Sequence, residues 1–439
     1  MTVTTRVASA PMFDPVHETM SRDEIQTLQL QRLGQTLGHA YDNVAHHRQS
    51  FGARGIKPQD IRSLDDLRHL PFTSKLDLRD SYPFGLLAVP RERLARIHAS
   101  SGTTGKPTVV GYTKADLETW AALGARTMAT VGVRPGDLVH NAYGYGLFTG
   151  GLGFHYGAEH LGCTVTPMSG GNTEKQIAVI SDLGATVLAC TPSYALNIAE
   201  LAEKEGIDLA SGPLRVAVFG AEPWSEAMRS DIDRRLGLRA QDTYGLSEIM
   251  GPGVAAECGE RNGLHGWEDH FLFEIIDPAT LEPLPPGEIG ELVITTLTKQ
   301  ALPMVRYRTR DITRLRTEPC RCGRTHVRLD RITGRSDDML IIRGVNIYPS
   351  QVESVLLDRD GIQPHYLLVV SRQGALDHLT IEVEADPMLP DGDYLRVGAD
   401  IRHHIKSLIG VTCDVVLKTP GELPRSLGKA VRVKDLRKA

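Results

Sequence analysis

The feature that most constrains this chain is an alternation running from about Asp137 to Glu248. Strand-like apolar runs at Thr164–Thr166, Thr186–Cys190 and Leu214–Phe219 are separated by helical stretches. One helix is expected over Thr173–Leu183, opened by a Thr173/Gln176 capping box, and another over Ser193–Lys204. Strand, helix, strand at this pitch means βαβ units and a parallel sheet. Ligand-binding loops of such a sheet belong at the carboxyl ends of its strands, here the segments after Thr113, Phe219 and Ala240.

The flanks read differently. Ser21 and Glu24 form a capping box, and Ile25, Leu28, Leu33, Leu37, Ala40 and Val44 follow at near-helical spacing. After Phe271 the pattern turns to strands broken by turns, Phe273–Asp277 and then Pro285 to Ile294, as in a small barrel. From about Asp338, strands at Leu367–Val370, Leu379–Glu384 and Asp414–Leu417 mix with a helix near Leu395–Leu408, a compact α+β unit. At 439 residues two or three domains are expected. The fold class is α/β: a large N-terminal domain with parallel βαβ sheets and a barrel-like subdomain, then a small α+β C-terminal domain.

Charge and cysteine usage narrow the function. The 49 basic and 54 acidic residues leave a net charge of −5, with no basic stripe, so neither a nucleic-acid nor a membrane partner is expected. No apolar run is long enough to span a bilayer, and the N-terminus lacks a signal-peptide core, so a cytoplasmic enzyme is expected. Six cysteines in a chain this long do not make a disulfide framework; Cys163, Cys190 and Cys413 sit in apolar runs as small core residues.

Ser101-Gly102-Thr103-Thr104-Gly105-Lys106, between Ser100 and Pro107, is rich in glycine and hydroxyls. Its glycines allow a tight turn that aims N–H groups at an anion, its hydroxyls donate to phosphate oxygens, and Lys106 adds a cation. It is not a Walker loop, whose glycines stand further apart. Gly220-Ala221-Glu222 follow an apolar strand, where a glycine permits close approach of a flat ligand. In Asp242-Thr-Tyr244-Gly245-Leu-Ser-Glu248, Tyr244 can stack on a base and Glu248 can hold a divalent cation. Asp311 stands among Arg306, Arg308 and Arg310, as a sugar-gripping acid or as part of a surface ion-pair cluster.

Taken in order, these segments resemble the adenylate-forming superfamily, and specifically the phenylacetate–CoA ligase family. The resemblance runs from about Ser21 to the C-terminus and is most specific at His98–Tyr112, Tyr143–Gly157, Phe219–Trp224, Tyr244–Gly253 and Gly334–Asn346. It implies that Ser101–Lys106 hold phosphate, that Gly220, Ala221 and Glu222 line the adenine and acyl sites, and that Tyr244 lies against adenine, in the nucleotide-binding segment of Asp242 and Gly245. It further implies that Glu248 binds Mg²⁺, that Asp311 with Arg335 takes the ribose hydroxyls, and that Lys429 is the catalytic lysine. Asp337 becomes the hinge, dividing the chain into 1–334, 335–338 and a mobile 339–439, with Gly344 swinging to the thiol channel. The implied activity is ATP-dependent formation of an aryl-adenylate, then transfer to CoA, in a homodimer by analogy.

The remaining cysteines fit a metal. Cys320-Arg-Cys322 resembles half a zinc ribbon, and Cys258 with His265 supplies the other half, with His326 as a spare. Spacing alone leaves reduced cysteines equally open; the family's Cys…His…Cys-x-Cys pattern implies structural Zn²⁺. Tyr143 and Phe148, beside Gly150 and Gly151, resemble the aryl pocket, against a plain reading as core packing. Gly266 replaces a larger aliphatic residue common in the family, which leaves the aromatic acid open. A carrier-protein phosphopantetheine thiol is the alternative acceptor, and a non-catalytic nucleotide-binding module the remoter reading.

Overall fold

A computed structural model of the chain describes residues 12–100, 107–337, 340–343, 345–373, 376–425 and 431–438. Its central sheet has nine strands among the described residues. Five are parallel, in the spatial order Thr164–Pro167, Leu138–Asn141, Val187–Cys190, Val216–Phe219 and Arg239–Leu246. The middle two, VLAC and VAVF, are buried along their whole length, as apolar strands covered on both faces must be. From Arg239–Leu246 outward the pairing turns antiparallel, through Gly251–Glu257, Leu264–Gly266, Arg328–Leu329 and Leu315–Arg316. Leu138–Asn141 is followed by a neighbour on one side and then by Val187–Cys190 on the other. That reversal opens a crevice at the carboxyl ends of these strands.

Local chemistry explains most boundaries. The helix Arg22–Asn43 starts with the Ser21/Glu24 capping box formed in both directions. Thr191 caps Pro192–Lys204. The helix Thr173–Leu183 has the expected bounds but not the expected cap: its N-cap is Asn172, with no side-chain capping bond. Gln176 is buried, and its amide instead donates to the Ser169 and Gly171 carbonyls while its oxygen meets His140. A buried amide must be satisfied where it sits, and that demand overrode the local motif. Thr113 likewise opens no loop; it caps the helix Lys114–Val131. Cys190 and Cys413 are core residues, whereas Cys163 is half-buried just past the helix end at Gly162, its thiol donating to the Arg134 carbonyl.

Among the described residues, two four-stranded sheets and two two-stranded hairpins accompany the central sheet. Phe271–Ile276, Gly290–Thr296, Tyr307–Thr313 and Gly334–Arg335 form a four-stranded antiparallel sheet where the barrel-like unit was expected. The C-terminal part builds a mixed sheet ordered Asp414–Lys418, Leu376–Ala385, Ile362–Gln373 and Val433–Asp435. With the helices Pro349–Leu357 and Tyr394–Ile409 it encloses its own core, including Leu368, Val370, Ile381, Ile401 and Ile405. No described helix is long and apolar enough to cross a membrane.

The helices Lys114–Val131 and Thr149–Leu161 touch through glycines. A Cβ on Gly157 would lie 2.7 Å from the Gly124 backbone. Gly157→Ala gains up to about 1 kcal/mol of helix propensity but forces overpacking of about 1–3 kcal/mol, so the variant should melt lower. Gly38, inside the helix Arg22–Asn43, has nothing within 4 Å of its would-be Cβ. There Gly38→Ala should stabilise by about 0.5–1 kcal/mol. Thermal melts of the two variants check the opposite signs.

Candidate functional site

The hairpin Arg96–Ser100/Thr108–Tyr112 pairs Ser100 with Thr108, so its ends bring both stems of the glycine- and hydroxyl-rich loop together. Ser101, Gly102, Thr103, Thr104, Gly105 and Lys106 themselves lie outside the described residues, as do Gly344 and Lys429.

One strand to the side, Gly220 follows Val216–Phe219. A Cβ there would lie 2.6 Å from the Thr243 carbonyl oxygen, so the close approach that demands glycine is that of the next strand. Thr243 Oγ1 donates to the Phe219 carbonyl at 2.8 Å, and Ala221 takes a left-handed φ of 73°, a conformation costly for a residue with a Cβ. Glu222 is tied by the Ser193 N–H at 2.7 Å and the Ser193 hydroxyl at 2.5 Å.

Tyr244, Asp311, Arg335 and Asp337 form one chain of contacts. The Tyr244 hydroxyl donates to Asp311 Oδ2 at 2.5 Å, and Arg335 Nη1 reaches Asp311 Oδ1 at 3.3 Å. Asp311 and Arg335 are register partners on neighbouring strands, which fixes that meeting. Arg335 then grips Asp337 through two hydrogen bonds of 2.8 and 2.9 Å. Burial, and then the Asp311 charge, push the Tyr244 hydroxyl well above the usual phenol range.

Of the three arginines around Asp311, Arg306 and Arg308 are drawn into interior ion pairs. Arg306 is buried, doubly paired with Glu274 at 3.1 and 2.9 Å and donating to the Arg68 and Leu70 carbonyls. Arg308 is doubly paired with Glu291, and Arg310 lies 3.5 Å from the same carboxylate.

Glu248 sits on a turn held from below. Tyr112 donates its hydroxyl to the Met250 carbonyl at 3.0 Å, and Lys299 Nζ donates to the Glu248 carbonyl at 3.2 Å. The Glu248 carboxylate takes no hydrogen bond from any described residue. Lys299 is missed by motif reading; it is a buried cation 4.8 Å from the Tyr112 ring centroid, and burial brings its amine down to about 8. A lone lysine between the buried residues of Gly290–Thr296 and Ala301 was the signal available.

Asp242 stands at the mouth of the crevice, its N–H donating to Glu257 at 3.1 Å. Arg229 closes doubly on Glu257, and the Arg229 and Arg331 guanidiniums each lie 4.8 Å from the Trp224 ring centroid. Burial pushes the Asp242 carboxyl up to about 6, with Arg331 opposing. Tyr143 packs inward, stacked on Phe154 at 4.9 Å, with its hydroxyl 3.5 Å from the Val218 carbonyl. Phe148 stands 43% exposed before the helix Thr149–Leu161. Gly266 bears on Phe273, whose ring lies 2.6 Å from its would-be Cβ.

Cys258, His265, Cys320 and Cys322 converge, with their donor atoms all within 4.8 Å of one another. Cys258 Sγ lies 3.7 Å from Cys320 Sγ, and Cys322 Sγ lies 3.4 Å from His265 Nε2. A tetrahedral zinc site has edges of about 3.8 Å between sulfurs and about 3.5 Å between sulfur and nitrogen, given bonds of about 2.3 and 2.0 Å. The donors fit such an ion. His326 does not join them: its Nδ1 accepts from the Glu268 N–H at 3.0 Å and its Nε2 donates to the His17 carbonyl at 2.9 Å.

Residues 39–298 match the AMP-binding enzyme family model, and residues 344–437 match the AMP-binding enzyme C-terminal domain. The chain is 56% identical to the phenylacetate–coenzyme A ligase of Escherichia coli K12, covering 97% of each. Among solved structures it is similar to 2-hydroxyisobutyryl-CoA ligase in the postadenylation state in complex with 2-HIB-AMP, with a TM-score of 0.91 and 30% identity, covering 97% of this chain and 92% of that one. For the same enzyme with 2-HIB-AMP and CoA in the thioesterification state, the TM-score is 0.72 at 31% identity, covering 96% of this chain and 91% of that one.

Asp242 yields a pH test. Its carboxyl titrates near 6 when folded and near 3.9 when unfolded, so the stability it allows is full below about pH 4 and lost as pH rises through 6. Asp242→Asn should therefore melt higher than the parent at pH 8, by about 2–3 kcal/mol, with the gap closing near pH 4.5. A lower melting point at pH 8 would mean that Arg229 and Arg331 need the charge.

Proposed function

The chain belongs to the AMP-binding enzyme family, among the phenylacetate–coenzyme A ligases, and we propose from this premise that it activates an aromatic carboxylic acid and passes the acyl group to coenzyme A. The observation that carries the reading is the 56% identity to the ligase of Escherichia coli over 97% of each chain.

The acid's carboxylate oxygen attacks the α-phosphorus of ATP and pyrophosphate leaves. The thiol of CoA then attacks the acyl carbon, and AMP leaves with the bridging oxygen. In the first step negative charge gathers on phosphate oxygens and needs fixed positive partners. Lys429 is assigned that role, with Ser101–Lys106 cradling the phosphates. Tyr244 and Asp311, already bonded to each other, form the nucleoside end, and Arg335 braces Asp311. Gly220, Ala221 and Glu222 shape the adenine and acyl edge, and Asp242 and Gly245 complete the adenine side. The inward ring of Tyr143 and the exposed ring of Phe148 mark the aryl end.

Magnesium would be held by Glu248, whose carboxylate takes no hydrogen bond from any described residue, and would neutralise the triphosphate; a single carboxylate suits an ion that keeps substrate phosphate and water as its other ligands. Zinc held by Cys258, His265, Cys320 and Cys322 would tie two loops together, a closed four-ligand site with no open position for catalysis.

Asp337 at the end of the contact chain is the hinge, separating residues 1–334 from 339–439. The tighter overlay on the postadenylation state than on the thioesterification state supports an orientation that serves the first half-reaction. Rotation then withdraws Lys429 and brings Gly344 to the thiol.

Three measurements test this. Pyrophosphate release across a panel of aromatic acids should depend on one acid and turn over repeatedly only with CoA; release blind to CoA would instead favour a carrier-protein acceptor. Lys429→Ala should lower adenylation by about 10²–10³-fold while sparing thioester formation from supplied acyl-adenylate. Metal analysis should return one zinc per chain, and Cys320→Ser should lose it together with several degrees of melting temperature.

A further inference from the structure

We infer that Glu200 is a positioning residue for the first half-reaction, latching the C-terminal unit onto the large one in the orientation that presents Lys429. The inference rests on the role assigned above to Lys429.

Glu200 lies on the helix Pro192–Lys204 of the large unit, and its carboxylate is divided between two residues of the other unit. Oε1 is 2.5 Å from His365 Nε2, and Oε2 is 3.1 Å from Arg425 Nε. Among the described residues it takes no hydrogen bond from its own unit. Burial alone would raise this carboxyl, but the His365 hydrogen bond and the Arg425 charge outweigh it and hold it below its usual range.

Both partners are fixed within the C-terminal unit. His365 falls where the ladder between Ile362–Gln373 and Leu376–Ala385 shifts register, between Ile362 and Tyr366. Arg425 is doubly paired with Glu384 at 2.7 and 2.8 Å, and Glu384, fully buried, also takes the Gly421 and Leu423 N–H groups. Only the Nε of Arg425 is turned outward to Glu200. Lys429 follows four residues after Arg425. Beyond it, the Arg432 carbonyl accepts from Leu368 N–H at 2.9 Å, and the Arg432 guanidinium lies 4.5 Å from the Tyr366 ring centroid. Both stems of the lysine-bearing segment are thereby anchored, and one anchor is the residue Glu200 holds.

The same helix reaches the nucleotide site. Ser193, which binds Glu222, precedes Glu200 by seven residues, two turns along the same helix face and about 10 Å away. One rigid element therefore spaces the latch from the Gly220–Glu222 segment. Among the described residues, Leu357 also packs on a core of the large unit across the seam, and the Ser350 hydroxyl donates to the Thr333 carbonyl. Glu200 adds a charged contact to these. The three side chains are only 10–24% exposed, so removing one partner leaves the others poorly solvated.

The test separates the half-reactions. In Glu200→Gln, acid- and ATP-dependent pyrophosphate formation should fall by roughly 5–20-fold, with thioester formation from supplied acyl-adenylate and CoA unchanged or faster. Glu200→Asp should recover part of the loss, and His365→Gln should reproduce its direction. Equal loss in both half-reactions, or loss in neither, would overturn the latch. Lys429→Ala is measured alongside: if it leaves pyrophosphate formation intact, the parent assignment fails and the latch with it, whereas loss in Lys429→Ala without loss in Glu200→Gln removes the latch alone.

Discussion

The carboxylate of Asp311 is where the structure is tied together. One oxygen accepts from Tyr244 on the central sheet, and the other meets Arg335 on the neighbouring strand of the second sheet. Arg335 passes the connection to Asp337, the proposed hinge. A carboxylate so placed must stay satisfied, since an unpaired buried charge costs several kcal/mol. Ribose hydroxyls arriving at Asp311 would therefore compete with partners already bound to the hinge. Under the proposed role of Asp311, nucleotide binding would then act on the boundary between the two units.

The seam between the units is held differently from either interior. Each unit has an apolar core of its own. Among the described residues the seam includes Leu357, the Ser350–Thr333 bond and the charges around Glu200. Stable cores joined by a few weak contacts are what a hinge motion requires, because the free-energy gap between orientations must remain small enough for substrates to bias. The proposed zinc cluster serves the opposite purpose, closing loops on the rigid side of the hinge.

Much of this was legible in the chain itself. The parallel sheet followed from strand pitch, and the entry helix from the Ser21/Glu24 box, because both depend on residues close in sequence. The convergence of Cys258, His265, Cys320 and Cys322 was legible through the family's Cys…His…Cys-x-Cys pattern, since spacing alone left reduced cysteines equally open. What local reading missed has partners far along the chain. Gln176 left its expected cap for carbonyls and a histidine in the core. Arg306 vanished into a pair with Glu274, and the glycine at 220 is demanded by the Thr243 carbonyl of the next strand. Glu200 carries no local signal at all, since both its partners lie more than a hundred residues away.

The central claim is that the acid's carboxylate attacks the α-phosphorus of ATP. Turnover with the acid carrying isotopically heavy carboxyl oxygen, followed by mass spectrometry of the products, tests it most directly. One heavy oxygen in AMP, and none in pyrophosphate, is the result this mechanism requires. Label appearing in inorganic phosphate with ADP as the nucleotide product, or no label in AMP, would contradict it.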